Sequence, residues 1–397
     1  MRRSIMVFLL ALIMLASASA RTFERRWSFA AHGPFIGSAA VSDGVVYAGS
    51  LDSTLYALDE QTGKLLWTVR FPAPIRSTPF VQNGLLYINA GGSLTALDAS
   101  SGVRRWTFAT GGERIHEPYG YADYYQSSPV VRNGIVYCGS GDGNFYAVNG
   151  KNGTLLWKFS TSGVVHASPA FDSALVFIGS FDGTMHALDQ HTGKEVWNFR
   201  SVGHRFFPKG ELQGTPVVMN GLVFVGARDY NVYAIDAKKG YCHWNVVFPR
   251  GWALSLTPAD SVLYIGTSDD DVIIAADPLT GKERWRTDVR FNTFGRAMLT
   301  DSLLIVGTLA GRVHALHRAT GAILATFETD GFRKNYSRFF IGPTDIAKER
   351  FYSFIRTPDD YIANLYALGA VFSDAVPSTR SVIITSTDGN IYSLTIL

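Results

Sequence analysis

One short pattern recurs along this chain and restricts its fold more than any other feature. Residues 134–159, GIVYCGSGDGNFYAVNGKNGTLLWKF, show it most clearly. Residues 135–138 are apolar and suit a strand. Asp142-Gly143 is a hairpin turn, because Gly tolerates the positive φ that tight turns need. Residues 144–148 make a second strand, 149–153 another turn, and 154–159 a third strand carrying Trp157. With 128–131 as the strand ahead of them, the unit is one four-stranded antiparallel sheet.

The pattern returns at 45–69, 85–108, 175–199, 222–247, 262–287 and 303–327. Trp stands four residues after the turn Gly in Gly63/Trp67, Gly102/Trp106, Gly153/Trp157, Gly193/Trp197, Gly240/Trp244 and Gly281/Trp285. A repeat near ~40 residues with four strands per unit is the signature of a propeller blade. The last copy has drifted: His317 replaces the turn Asp and Ala325 the Trp.

The two ends are each incomplete. Residues 24–30 form an outer strand with Trp27 in the repeated Trp position, and 381–396 form inner strands that lack one. An open ring would leave an unpaired strand edge, which invites aggregation. The N-terminal strand is therefore expected to complete the last blade. The fold class is all-β: an eight-bladed propeller of four-stranded antiparallel blades over residues 21–397, with an insert at 328–368. A monomer is expected. The repeated Trp is expected to pack between neighbouring blades, and the turn Asp (Asp59, Asp98, Asp189, Asp236, Asp277, with Asn149 in blade three) to hold turn N–H groups.

Composition narrows the partners. The formal charge of +3 over 397 residues comes without a long basic block, which argues against nucleic acid. Residues 1–20 read as a signal peptide: Arg2-Arg3, an apolar run from Ile5 to Leu15 too short to span a membrane well, and Ala18-Ser19-Ala20 as a cleavage site. Export to the periplasm or outside the cell is expected, with no transmembrane segment and no Cys placed for a lipid anchor. The two cysteines, Cys138 and Cys242, lie two blades apart and are expected as buried free thiols. No haem or zinc spacing is present.

The run A-x-D-x-x-T-G-x-x-x-W, as in residues 57–67 and 187–197, resembles the tryptophan-docking repeat of the quinoprotein (PQQ-like) propellers. The resemblance covers nearly all of the mature chain. It implies the propeller fold, and it implies either of two functions. One is a PQQ-dependent alcohol dehydrogenase with calcium; the other is a cofactor-free interaction propeller similar to BamB. The chain lacks the adjacent Cys pair common near the dehydrogenase cofactor, a matching calcium set, and the lipobox Cys of the lipoprotein.

Candidate sites fall on the face that carries the inter-blade connections, where 110–126, 201–213 and 328–368 are long. Arg76, Gln126, His166 and Gln213 precede equivalent small-residue and Ser/Thr-Pro steps, which places them near the mouth of the central channel, one per blade. The hydroxyls of Thr78, Ser128, Ser168 and Thr215 lie two residues on, on the same strand face. This is either a hydrated channel or a cofactor or ligand site, for which Trp252, the one Trp outside the repeat, would be the aromatic platform. Arg333, Arg338, Phe340, His116, His204 and Arg205 are the candidate contacts for a protein partner or an anionic ligand. The insert, rich in aromatic and basic residues, is either a cap over blade seven or a binding lid; Thr357-Pro358-Asp359-Asp360 starts a helix in it and Gly369 ends it. No catalytic Ser/His/Asp order, acid pair or metal spacing is present. A non-enzymatic binding scaffold is the expected function, and a PQQ-dependent oxidoreductase the alternative.

Overall fold

The computed structural model describes residues 21–114, 123–341 and 348–397. The signal-peptide reading of 1–20, and His116, lie outside the described residues. Eight four-stranded antiparallel sheets follow one another, each in simple up-and-down order. Blade three is typical: Val130–Arg132, Ile135–Gly139, Asn144–Asn149 and Leu155–Ser160. Its second and third strands are apolar and buried on both faces, while the outer strand alternates exposed and half-buried residues.

The ring closes as the incomplete ends required. Phe23–Ala30 pairs with Asn390–Ile396 and becomes the outer strand of blade eight. A side-chain latch reinforces this join. The Glu60 carboxylate of blade one accepts from the Ser378 hydroxyl at 2.5 Å and the Thr379 N–H at 2.7 Å in blade eight.

Each repeated Trp serves the next blade. The indole N–H groups of Trp27, Trp106, Trp157, Trp197, Trp244 and Trp285 donate to backbone carbonyls one blade on, at 2.9–3.1 Å. Gly63 shows why the turn residue is Gly. Its φ is +70°, and a Cβ there would lie 2.6 Å from the Trp27 ring. The turn Asp works as the repeat implied: Asp59 Oδ1 accepts from the Thr62 N–H at 2.8 Å. In blade seven His317 stands in for it, its carbonyl accepting from the Gly321 N–H at 2.8 Å and its Nδ1 lying 3.2 Å from the Thr320 hydroxyl.

Cys138 is buried and free; Cys242 is also free but only half-buried, because it lies on an outer strand.

The insert after blade seven forms three helices: α1 (Asp330–Phe339), α2 (Lys348–Ser353) and α3 (Pro358–Ala367). Thr357 and Asp360 make the reciprocal capping box that starts α3. Leu368 caps its end, and Gly369 follows with φ +68°. Thr329 caps α1, which docks on blade eight through Arg25–Asp330 at 2.8 Å and Gly331 N–H to Asp388 at 3.0 Å. Phe332, Phe339, Phe340 and Phe351 pack with Phe291, Phe294 and Phe372 from the blades into one aromatic core. The helices are thus a cap over the inter-blade face.

Candidate binding site

Strand register carries the channel series around the whole ring. Phe80 pairs with Tyr87, Met298 with Ile305 and Val376 with Ile383, so Thr78, Arg296 and Asp374 occupy equivalent positions. Blades seven and eight therefore place an Arg and an Asp where earlier blades carry hydroxyls. Sequence reading counts Arg296 only among the cations of this face and does not name Asp374, and it places neither in the channel series, because these blades lack the Ser/Thr-Pro step that marks the others.

The channel holds a cavity of about 240 Å³ whose polar lining includes Arg76, His166, Gln213, Arg296 and Asp374. Gln126, expected beside them, is half-buried and does not line it. The hydroxyls are used by the scaffold. The N–H groups of Asp374, Ser38, Thr78 and Ser128 donate to Ser38, Thr78, Ser128 and Ser168 in turn, at 2.8–3.0 Å, stitching one blade to the next.

The charged groups are largely committed too. Arg76 donates to the Asp123 carbonyl at 3.3 Å, and Arg296 to the Pro216 carbonyl at 3.3 Å. The Arg296 N–H bonds the Asp374 carboxylate at 2.7 Å. Burial pushes that carboxyl above the usual carboxylate range, against the pull of the Arg296 charge. His166, 5% exposed, is held between two carboxylates: Nδ1 at 2.9 Å from Asp123 and Nε2 at 3.1 Å from Glu113. Burial alone would lower its pKa; the two carboxylates override this and raise it to about 9, so the ring is a cation at neutral pH. The Gln213 amide oxygen accepts from Arg228 at 2.9 Å, and Arg228 is fully buried against Phe181, Phe207 and Trp252.

The mouth is closed by the chain itself. Tyr124 packs on Phe294 and Phe372, with ring centroids 5.6 and 5.0 Å away, and Tyr125 donates to the Phe372 carbonyl at 2.8 Å. A planar tricarboxylate quinone needs free cations and an exposed aromatic floor. Here the cations hold backbone carbonyls, and Trp252 lies outside the channel cavity. The cavity is also smaller than the roughly 300–1,000 Å³ of typical small-molecule sites. Among the described residues no group of three or more His, Cys, Asp or Glu could hold a metal ion. The channel residues do not fit PQQ.

A larger cleft, of about 590 Å³, opens between the cap and blades five and six. Trp252 lines it with Tyr230, Tyr352 and Tyr361, and Asp269 and Asn292 add polar groups. His204 stacks on Tyr230 at 4.4 Å, and Arg205 lies over Phe206 at 4.5 Å, so two candidate contacts meet here. Arg333 and Arg338 are exposed on α1, lying over Phe327 and Phe339. Phe340, expected on the same surface, is instead 2% exposed and stacks parallel to Phe351 within the cap. The reason is local geometry: Phe332, Tyr336 and Phe339 share the inward face of α1, and Phe340, its C-cap, turns in against Phe332 and Tyr336.

Tyr230 and Asp269 were not singled out from the sequence, although a signal existed. In the turn between second and third strands, blades three and four carry Gly143 and Gly183 at φ +85° and +88°. Blade five carries Tyr230 there at φ +71°. A bulky residue held in the left-handed region is uncommon and often marks function.

Fold and site together define a capped eight-bladed propeller built from the PQQ-like repeat. The chain belongs to the family described as outer membrane protein assembly factor BamB, whose model matches residues 15–119, 121–206 and 205–335. It is 27% identical over 156 residues to tetrathionate hydrolase of Acidithiobacillus ferrooxidans, covering 32% of this chain and 28% of that protein. It is 30% identical over 132 residues to BamB of Yersinia pestis, covering 33% of this chain and 32% of that one. The matched segments thus span about a third of each relative or less. Among solved structures, BamB from Moraxella catarrhalis superposes with a TM-score of 0.69 at 18% identity, over 94% of this chain and 99% of that one. Quinohemoprotein alcohol dehydrogenase from Comamonas testosteroni gives 0.70 at 14% identity, over 94% and 76%. At these identities the structural likeness speaks for the fold alone.

Proposed function

We propose that this chain is an exported, non-enzymatic propeller that docks a protein partner of the cell envelope on its inter-blade face. One observation carries the reading. The channel mouth, where a propeller enzyme would need an open site, is filled by Tyr124, Phe294 and Phe372, while an aromatic cleft stays open beside the cap. Membership of the BamB-described family and the full-length superposition on a BamB structure support it. Arg205, Arg333 and Arg338 offer exposed guanidinium groups around that face, and Arg with Tyr suits interface hot spots. Among the described residues no helix is long and apolar enough to cross a membrane.

The alternative, a quinone-dependent oxidoreductase, draws on a 34% identical stretch of 113 residues shared with the dehydrogenase subunit of a quinone alcohol dehydrogenase from Komagataeibacter europaeus. Native mass spectrometry of the protein purified from its own host separates the two. A bound protein partner is the expected result. A retained quinone with one calcium per chain, and dye-linked alcohol oxidation, would install the oxidoreductase instead.

A further inference from the structure

The walls of the cleft are π surfaces: Tyr230, Tyr352 and Tyr361, with Trp252 among them. Aromatic faces attract cations, most strongly where water is excluded. Asp269 lines the same cleft. So does Asn292, only 2% exposed, whose amide oxygen has no hydrogen-bond partner among the described residues. A buried acceptor without a donor calls for an explanation, and a ligand N–H would supply one.

The local field has the same sign. The Tyr352 hydroxyl pKa is raised first by burial, then by the charges of Asp269 and Asp271. Burial likewise dominates at Tyr361, with the neighbouring tyrosines and then both carboxylates adding to it. At Tyr230, burial and then Asp269 raise the pKa, while Arg205 opposes them. The fold already uses one edge of this aromatic group for a cation, since Arg228 lies 5.7 Å from the Trp252 ring and 5.8 Å from Phe207. His204 covers one face of Tyr230, and the remaining tyrosine surface lines the cleft. Arg356, also in the lining, is exposed and therefore at the rim. It would face a carbonyl or carboxylate carried further out on the guest.

We propose that this cleft receives an organic cation, a guanidinium or primary ammonium on an apolar stem, enclosed by Tyr230, Tyr352 and Tyr361 and held by Asp269 and Asn292. The group would come either from a free small cation or from an Arg or Lys side chain of a docked protein. The inference rests on the inter-blade face being the working face.

Isothermal titration of the full mature chain tests it with three probes. These are n-butylguanidinium, its neutral isostere n-butylurea, and the blocked peptide acetyl-Gly-Gly-Arg-Gly-Gly-amide. Butylguanidinium is expected to bind at least about tenfold more tightly than butylurea. Asp269→Asn and Tyr352→Ala are each expected to weaken it by about fivefold or more without lowering the melting temperature. Leu279→Ala, in a turn of the opposite face, is expected to change nothing. Peptide binding as tight as the free cation assigns the group to a protein side chain, and weaker binding assigns it to a small molecule. Equal binding of butylurea, no binding of either cation at millimolar concentration, or indifference to both cleft substitutions would overturn the proposal. A failed titration with the partner still recovered from the host would refute the cation and spare the docking function; the reverse pattern would refute the docking function alone.

Discussion

Trp27→Ala tests ring closure at a single side chain. Trp27 is 9% exposed, its indole lies against Gly63 of blade one, and its N–H reaches the Glu60 carbonyl at 3.0 Å. It sits on the strand that comes from the far end of the chain to finish blade eight. If that strand is integral, removing the indole should cost what it costs inside any blade, about 3–5 kcal/mol for a buried Trp→Ala change. Unfolding entropy of about 2.1 cal/mol/K per residue gives ~0.8 kcal/mol/K for a chain of this size, so the melting temperature should fall by about 4–6 °C. Trp157→Ala, the same position in blade three, should fall by a similar amount. Differential scanning calorimetry reads both, and size exclusion reports any exposed edge. A loss under about 1 °C for Trp27→Ala, beside a full loss for Trp157→Ala, would show that the N-terminal strand frays independently and that the closure argument is wrong.

Two buried histidines give opposite pH dependences. The pKa of His166 is raised to about 9 by Asp123 and Glu113 against the opposing effect of burial. Its contribution, of order 3 kcal/mol from a shift of that size, is complete below about pH 6.5 and lost as pH rises through about 9. Denaturant melts of the parent should weaken across that window, and His166→Gln should flatten the slope; an unchanged slope would contradict the pairing. His314 is buried, with Nδ1 2.9 Å from the Thr326 hydroxyl, and burial first, then the Arg312 charge, lowers its pKa to about 3. Its neutral form favours the folded state above about pH 6.5, and that stabilisation is lost as pH falls toward 3. His314→Asn should therefore be less acid-sensitive than the parent over that range, and equal sensitivity would refute the assignment.

The propeller was legible because its determinants are local and repeated. A turn Gly and a Trp four residues later mark the outer hairpin of six blades, and two truncated ends imply one shared blade. The channel was half legible. Arg76, His166 and Gln213 sit before a recognisable Ser/Thr-Pro step and do line the cavity, whereas Arg296 and Asp374 sit in blades where that step has been lost. Their equivalence emerges only from strand register. Gln126 obeys the same spacing but does not line the cavity; it stands in the connection ahead of Val130–Arg132, where spacing alone does not fix where a side chain ends. Phe340 was misread for a related reason. The insert's mixture of aromatic and basic residues looks like a surface until it is wound into a helix, which separates the exposed Arg333 and Arg338 from the buried ring. The cleft was the least legible part, since Tyr230, Asp269, Asn292, Tyr352 and Tyr361 come from separate blades and from the insert. Only tertiary structure brings them together.

The docking face itself is tested most directly by site-specific photocrosslinking in the native host. A crosslinking residue is placed at Phe206 or Tyr352, both exposed in the cleft, and for comparison at Lys64 or Leu279, both exposed in turns of the opposite face. Each variant is irradiated in cells and recovered under denaturing conditions. The expected result is a discrete protein adduct from the first two positions and none from the second two. The same adduct from Lys64 and Leu279, with none from Phe206 and Tyr352, would place the working surface on the other side of the ring and contradict the proposed function.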